Sequence, residues 1–176
     1  RIGVSDDEEL MQVETVLDRQ RGDAPAEVSI ADLLPIEAVR VPLVARTRNS
    51  VIQKMADLAA ETGMLWDPVR MADAIRERET LHPTALDIGV ALLHPRRPMA
   101  AILEEPLLAL GRTHQGVPFG GERGGLTDVF FLICSVDDSG HLRTLARLSR
   151  LLSDPAFLDG LRSAEDAAST HAWIRQ

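Results

Sequence analysis

The segment Asp128–Ser135 (DVFFLICS) constrains the fold more than any other part of the 176-residue sequence. Between its two ends every residue is apolar, whereas a strand with one face in water alternates apolar and polar residues. Such a strand is typical of the centre of a sheet that is covered on both faces. Helices must supply the covers, so the sequence predicts an α/β domain in which helices pack on a sheet.

Further helix and strand signals are spread over the rest of the chain. The pair Asp67-Pro68 is a typical helix start, because aspartate caps free N–H groups and proline fits the first helical position. Pro42 interrupts one strand, which we therefore expect at a sheet edge. The predicted helices cover 6–21, 30–35, 48–62 and 68–79, a stretch after Asp137-Asp138-Ser139, and two short segments opened by Asp154-Pro155 and Ala164-Glu165. The predicted strands are Ala38–Val44, Val90–Leu93, Leu107–Gly111 and Asp128–Ser135.

The acidic charge of the chain is concentrated at its start. The net charge is −8, and residues 1–28 hold eight acidic side chains against three basic ones. Residues 1–29 are therefore predicted to form an acidic helix or connector, followed by a nearly neutral domain over residues 30–176. Proteins that bind nucleic acid need a concentrated basic surface, so direct nucleic-acid binding is not expected. The first residue is Arg and not Met, which suggests a possible domain upstream of the connector.

Composition also bears on the cellular compartment. No apolar run approaches the roughly 20 residues that span a bilayer, and the chain starts without the features of a signal peptide. Cys134 is the only cysteine and so cannot form an internal disulfide. We therefore expect no membrane insertion and a cytoplasmic location.

Histidines are the main candidates for a nucleophile or general base, since the sequence has five of them and no tyrosine. His82 and His114 are expected in polar loops and His171 on the terminal helix, where a solvated surface role is the simpler interpretation. His94 follows the end of a predicted strand, and His141 falls in the first turn of a predicted helix, where N–H groups and the dipole can hold an anion. On these patterns alone, an ordinary loop histidine and a surface residue near a helix cap stay open for His94 and His141.

Other motifs carry weaker signals. The loop Gly120–Gly125 (GGERGG) has the glycine content of a phosphate-binding loop but lacks its GK[ST] ending, which favours a flexible turn. Ser135, Asp137 and His141 are the residue types of a hydrolase triad, but no G-x-S-x-G pattern surrounds the serine. No two histidines have the spacing of a metal site, so no metal is expected.

A longer string of residues gives a more specific indication. Arg78–His94 reads RETLHPTALDIGVALLH. In order and spacing it resembles the R-E-x-L-x-x-T-x-(L/I)-x-x-G-(I/V)-A-(L/I)-P-H signature of the type-2 enzyme IIA (EIIA) family, the fructose/mannitol/nitrogen class. This family belongs to the bacterial phosphoenolpyruvate-dependent phosphotransferase system. The resemblance extends over about residues 30–176 and implies a three-layer α-β-α domain with a mixed central sheet flanked by helices.

The resemblance also implies a reaction and the residues that carry it. The family's phosphoryl acceptor corresponds to His94, the arginine that opens the motif to Arg78, and the histidine of the H-L-x-x-L-x-x-L helix to His141. The implied protein is a phosphocarrier that accepts a phosphoryl group from an HPr-type protein without a cofactor. Its downstream partner is a IIB component or a regulatory protein. The acidic N-terminal helix favours the regulatory, nitrogen class over the sugar-transport class.

Three positions near His94 depart from the family pattern. Leu93 stands where the family has proline, Pro95 where glycine is common, and Ile88 where asparagine is frequent. They leave a second interpretation open, a regulatory protein-binding module of the same fold with weak or no phosphotransfer. A scaffold like those of bicarbonate transporters is a third interpretation and rests on analogy of fold alone.

Overall fold

The structure, a computed structural model, describes residues 29–121 and 124–176 of the chain. The acidic helix predicted over 6–21 lies outside these residues. The described helices are α1 (Ile30–Leu33), α2 (Arg48–Ala60), α3 (Pro68–Leu81), α4 (Asp138–Leu152), α5 (Pro155–Ser163) and α6 (Ala167–Ile174). The strands are β1 (Val39–Arg40), β2 (Val90–Leu93), β3 (Leu107–Pro118) and β4 (Leu126–Cys134), and short 3-10 helices cover Ile36–Ala38 and Ala100–Ile102. None of the described helices is long and apolar enough to cross a membrane.

The four strands form one mixed sheet in the order β1-β3-β4-β2. β3 and β4 are antiparallel, whereas β1 runs parallel to β3 and β2 runs parallel to β4. The predicted mixed sheet is therefore confirmed, and the strand next to Pro42 lies at an edge as expected. That strand holds only Val39–Arg40 instead of the predicted Ala38–Val44, because Pro42 has no N–H to continue the pairing.

Helices cover both faces of the sheet. The stretch of β4 from Val129 to Cys134 is buried without exception. Since successive side chains of a strand point to opposite faces, neither face of β4 is open to water. α2 packs against β3 and β4, and α4 packs against β4. The predicted α/β architecture is confirmed.

β3 is longer than the sequence indicates. The sequence predicts a strand that ends at Gly111, but the strand continues to Pro118 and forms a hairpin with β4. The pairing register shifts between Arg112 and Val117, so this half of the strand lacks the regular alternation by which a strand is recognised. His114 consequently lies exposed on a strand, and its prediction as a loop residue is wrong.

The helix boundaries follow the caps that the sequence provides. Asp67 caps α3 as predicted, by accepting a hydrogen bond from the backbone N–H of Arg70 (3.0 Å). The last helix starts at Ala167 instead of the predicted Ala164, because Asp166 is its cap. An aspartate at the N-cap satisfies N–H groups that have no partner within the helix.

The sheet topology brings two strand ends together. β2 and β4 are parallel neighbours, with Leu93 in register with Leu132, so their carboxyl ends meet at the same edge of the sheet. His94 follows directly on β2, and Ser135 follows directly on β4, where the chain turns into α4. Ligand sites in α/β folds collect at such strand ends, and the candidate site lies here.

Candidate functional site

His94 is a buried residue, with 8% of its surface exposed. Its Nδ1 lies 2.7 Å from the carbonyl oxygen of Leu92. Because a carbonyl oxygen can only accept a hydrogen bond, Nδ1 carries the ring proton and donates it. In the neutral ring the free lone pair then lies on Nε2.

His141 lies beside His94. The ring centroids are 4.9 Å apart, and the rings are tilted by 46°. His141 stands in the first turn of α4, as predicted, and Asp137 caps that helix by accepting a hydrogen bond from the N–H of Gly140 (2.6 Å). The Nδ1 atom of His141 lies 3.3 Å from the hydroxyl oxygen of Ser135. A strand end and a helix start therefore bring together two imidazoles that are far apart in the sequence.

The surroundings of the two rings favour their neutral forms. The pKa of His94 is lowered to about 3, mainly by burial and also by the repulsion it would feel from a protonated His141 and from the charge of Arg78, while the hydrogen bond to Leu92 opposes the shift. The pKa of His141 is lowered as well, again mainly by burial, with Asp138 opposing the shift and Arg78 adding to it. A neutral ring keeps the lone pair that a nucleophile needs.

Arg78 adds a positive charge to this pair. It belongs to the last turn of α3, where its Nη1 donates a hydrogen bond to the carbonyl oxygen of His82 (2.6 Å). Its charge lowers the pKa of both His94 and His141, so the guanidinium acts on both rings. Arg78 therefore bears electrostatically on both histidines, which lie in ring contact with each other.

A buried carboxyl group fixes the segment between α3 and β2. Glu79 is 2% exposed and accepts hydrogen bonds from the backbone N–H (3.2 Å) and from the hydroxyl group of Thr84. Burial raises the pKa of Glu79, while the hydrogen bonds from Thr84 and the charges of Arg78 and Arg48 oppose the rise. The carbonyl of Thr84 in turn accepts from the N–H of Leu92 (3.4 Å). Sequence reasoning missed this pair, although both residues belong to the Arg78–His94 motif.

The other three histidines make different contacts. Nδ1 of His82 lies 2.9 Å from the carbonyl oxygen of Pro83, and Nε2 of His171 lies 2.9 Å from that of Leu34. His114 is exposed on β3. Within residues 29–121 and 124–176, the ring contact between histidines is the one that joins His94 to His141.

The glycine-rich loop between β3 and β4 lies against the segment that follows α3. Gly120 has a positive φ of 77°, and a Cβ atom there would lie 3.2 Å from Cγ of Pro83. The N–H of Gly124 donates a hydrogen bond to the carbonyl of Gly121 (2.9 Å). Glycine suits position 120 because side chains disfavour positive φ.

The groups at the strand ends together suit one kind of ligand. One imidazole supplies a lone pair, the other can supply an N–H, and the guanidinium supplies a positive charge, which is what a phosphoryl group requires during transfer. Among the residues that the structure describes, no three His, Cys, Asp or Glu side chains are grouped as metal ligands. The fold and the site define an α/β protein with a paired-histidine site suited to an anion.

Comparison with known proteins identifies the family. The chain matches the family described as phosphoenolpyruvate-dependent sugar phosphotransferase system, EIIA 2, over residues 32–176. The nitrogen regulatory protein of Bradyrhizobium diazoefficiens is 31% identical over 146 residues, which cover 81% of this chain and 92% of that protein. The chain therefore belongs to the type-2 EIIA family of the phosphotransferase system, as its Arg78–His94 motif indicates.

Solved structures of other proteins share the fold. Nitrogen regulatory protein IIA-Ntr from Neisseria meningitidis matches with a TM-score of 0.72 at 21% identity, over 82% of this chain and 98% of that one. The mannitol enzyme IIA of Escherichia coli, in complex with phosphorylated enzyme IIB, matches with a TM-score of 0.68 at 18% identity, over 81% of this chain and 99% of that one. At these identities the likeness is one of fold.

Proposed function

We propose that the protein is a phosphocarrier that accepts a phosphoryl group on Nε2 of His94 from an HPr-type protein. The observation that carries the proposal is the hydrogen bond from Nδ1 of His94 to the carbonyl of Leu92, which leaves a lone pair on Nε2 of a ring that contacts His141. With a pKa of about 3, the ring of His94 stays unprotonated at physiological pH. It can therefore react without a general base.

The transfer step needs no net movement of protons. The Nε2 lone pair attacks the phosphorus of a phosphohistidine on the donor, so that one N–P bond forms as the other breaks. The donor imidazole leaves with the electron pair of the broken bond, and Nδ1 of His94 keeps its proton on the Leu92 carbonyl. Because the bond that forms and the bond that breaks are of the same kind, the step is reversible, as a carrier requires.

Arg78 is proposed to stabilise the phosphoryl group together with His141. During transfer, negative charge is spread over three equatorial oxygens, which a guanidinium is well suited to neutralise. The hydrogen bond from Arg78 to the carbonyl of His82 holds the guanidinium at the end of α3 before any ligand arrives. Removal of a donor that is held in place in this way typically slows a reaction by about 10²–10³.

The three departures from the family pattern leave the orientation of His94 intact. The ring is held by the backbone carbonyl of Leu92, a contact that does not involve the side chain of Leu93 or Pro95. Leu93 is fully buried as the last residue of β2, and Ile88 lies in the turn that precedes the strand. These observations support phosphoryl transfer over a module that only binds partners.

A regulatory binding module of the same fold is the second candidate. It is favoured by the burial of His94, because a ring that is only 8% exposed is hard for the phosphoryl donor to reach. Such a module would bind a protein partner at this surface but transfer phosphate weakly or not at all. The two candidates differ in one measurable respect, the covalent gain of a phosphoryl group.

Incubation with phosphoenolpyruvate, enzyme I and HPr, followed by measurement of the intact mass, tests the proposal. The wild type should gain one acid-labile phosphoryl group, and His94→Ala should gain none. His171→Ala is a matched control, because that imidazole contacts Leu34, and it should be labelled like the wild type. No gain in the wild type would support the binding module, and label retained in His94→Ala would place the acceptor elsewhere.

The partner that reads the phosphoryl group defines the class of the protein. We propose the nitrogen-regulatory class, since the relative from Bradyrhizobium diazoefficiens is a nitrogen regulatory protein; on this proposal a cytoplasmic regulatory partner senses the state of His94. Deletion of the full-length gene should then disturb gene regulation or ion balance while uptake of fructose and mannitol persists. The mannitol enzyme IIA, by contrast, forms a complex with phosphorylated IIB. Loss of one sugar's phosphorylation, restored by the wild type but not by His94→Ala, would place the protein in the transport class.

A further inference from the structure

Ser135 makes a contact that the transfer step described above does not use. It follows directly on β4 and is 5% exposed, and its hydroxyl oxygen lies 3.3 Å from Nδ1 of His141. Its own carbonyl accepts a hydrogen bond from the N–H of Met99 (3.1 Å), which fixes the backbone at this point. The serine is therefore a firmly placed neighbour of the second imidazole.

The neutral ring of His141 has two forms, and the hydroxyl group bears on which one is present. Burial lowers the pKa of His141, so the neutral ring carries a single N–H, on either Nδ1 or Nε2. If the hydroxyl group donates to Nδ1, the ring proton lies on Nε2. If the hydroxyl group accepts from Nδ1, then Nε2 holds a lone pair. Only the first form can donate from Nε2 to a phosphoryl oxygen, because those oxygens are acceptors.

We propose that Ser135 is a positioning residue, which donates a hydrogen bond to Nδ1 of His141 and so holds the Nε2–H form of that ring for a phosphoryl group on His94. This inference rests on the proposed phosphocarrier function. The ring is then oriented as a donor before the phosphoryl group arrives, and such preorganisation stabilises a transition state without a cost of rearrangement.

The two rings would then be set in complementary forms by two different partners. The carbonyl of Leu92 can only accept, so it fixes the proton of His94 on Nδ1 and leaves a lone pair on Nε2. The hydroxyl group of Ser135 can donate, so it can fix the proton of His141 on Nε2. Phosphoryl transfer between proteins needs both atoms, one that bonds to phosphorus and one that donates to its oxygens.

The same contact does not form a hydrolase triad. In a triad, Nε2 of the histidine faces the serine and Nδ1 faces the carboxylate. Here the nitrogen that faces Ser135 is Nδ1 of His141, and the carboxylate of Asp137 is occupied as the cap of α4, where it accepts from the N–H of Gly140. The geometry thus favours a serine that orients the ring over a serine that attacks a substrate.

NMR of the protein with isotope-labelled histidine tests the proposal in the absence of any phosphoryl donor. Ring nitrogen shifts distinguish a protonated nitrogen from one with a lone pair. In the wild type, His141 should be protonated on Nε2, and Ser135→Ala should shift the population towards the Nδ1–H form. Ser149→Ala is a matched control on α4, because that hydroxyl group bonds to the carbonyl of Leu145, and it should leave His141 unchanged. A wild-type ring protonated on Nδ1, or a ring unaffected by Ser135→Ala, would overturn the proposal.

The rate of phosphoryl transfer provides a second test of the role of Ser135. Ser135→Ala should slow transfer from phosphorylated HPr about three- to tenfold, the effect of losing one hydrogen bond that orients a donor, while Ser149→Ala transfers like the wild type. An unchanged rate in Ser135→Ala would overturn the role in positioning. If the wild type accepts no phosphoryl group at all, the phosphocarrier function fails, whereas the ring protonation measured by NMR still decides whether Ser135 sets the form of His141.

Discussion

The substitution His94→Asn should make the fold less sensitive to acid. In the folded protein the pKa of His94 is about 3, whereas an exposed imidazole in the unfolded chain titrates near about 6.5. Between these values the unfolded chain binds a proton that the folded protein does not bind, so a fall in pH favours unfolding. Asparagine does not titrate, and its side-chain N–H can replace the hydrogen bond that Nδ1 donates to the carbonyl of Leu92.

The magnitude follows from the two pKa values. At about pH 5, protonation of an imidazole with a pKa near 6.5 stabilises the unfolded chain by about 2 kcal/mol, whereas at about pH 7.5 the effect is only about 0.1 kcal/mol. The wild type should therefore lose about 2 kcal/mol more of its free energy of unfolding than His94→Asn over this range. The lowered pKa of His141 acts in the same direction in both proteins and cancels in the comparison.

Urea unfolding at several pH values between about 7.5 and about 5 measures this difference. With a slope of about 2 kcal/mol per molar urea, the wild-type midpoint should fall by about 1 M more than that of His94→Asn. His114→Asn is a matched control, because it removes an exposed imidazole, and it should follow the wild type. Equal losses in the wild type and in His94→Asn would refute the claim that burial holds His94 neutral.

Three further results are expected. Arg78→Ala should slow phosphoryl transfer to His94 by about 10²–10³ in a stopped-flow assay while the protein stays folded; a rate within about threefold of the wild type would contradict its role. An NMR titration should show His141 neutral at about pH 7, because burial lowers its pKa, and a mainly charged ring would contradict this. Gly160→Ala would place a Cβ 2.1 Å from Cζ2 of Trp173, an overpacking cost of about 1–3 kcal/mol, while alanine is the better helix former by about 1 kcal/mol. The free energy of unfolding should therefore fall by up to about 2 kcal/mol, and a raised Tm would contradict the packing of α5 on α6.

The sequence alone predicts β4, because that strand is buried on both faces. It does not predict the full length of β3, because the second half of that strand pairs irregularly with β4. β4 can be recognised from its uninterrupted apolar run, because a strand covered on both sides must be apolar throughout. The second half of β3 is polar, and its place in the sheet depends on a hairpin whose register shifts between Arg112 and Val117. No local pattern encodes that shift, so the sequence alone predicts a strand that stops at Gly111.

At the site, the positions of the histidines could be predicted from the sequence, whereas their hydrogen bonds could not. The positions of His94 at a strand end and of His141 in a first helical turn follow from local patterns, and the structure bears out both positions. Their hydrogen bonds do not follow from the sequence, because the contact of His141 with Ser135 depends on how α4 folds back after β4. The contact of His94 with the carbonyl of Leu92 depends on the backbone turn after β2. The roles of the residues in phosphoryl transfer stay predictions.

The atom that bears the phosphoryl group is the most direct test of the proposed chemistry. Protein with isotope-labelled histidine, phosphorylated with phosphoenolpyruvate, enzyme I and HPr, shows by phosphorus–nitrogen coupling which ring nitrogen is bonded to phosphorus. The coupling should involve Nε2 of His94, because Nδ1 carries the proton that it donates to the carbonyl of Leu92. Phosphorus on Nδ1 of His94, on a different residue, or absent from the protein would contradict the proposed transfer.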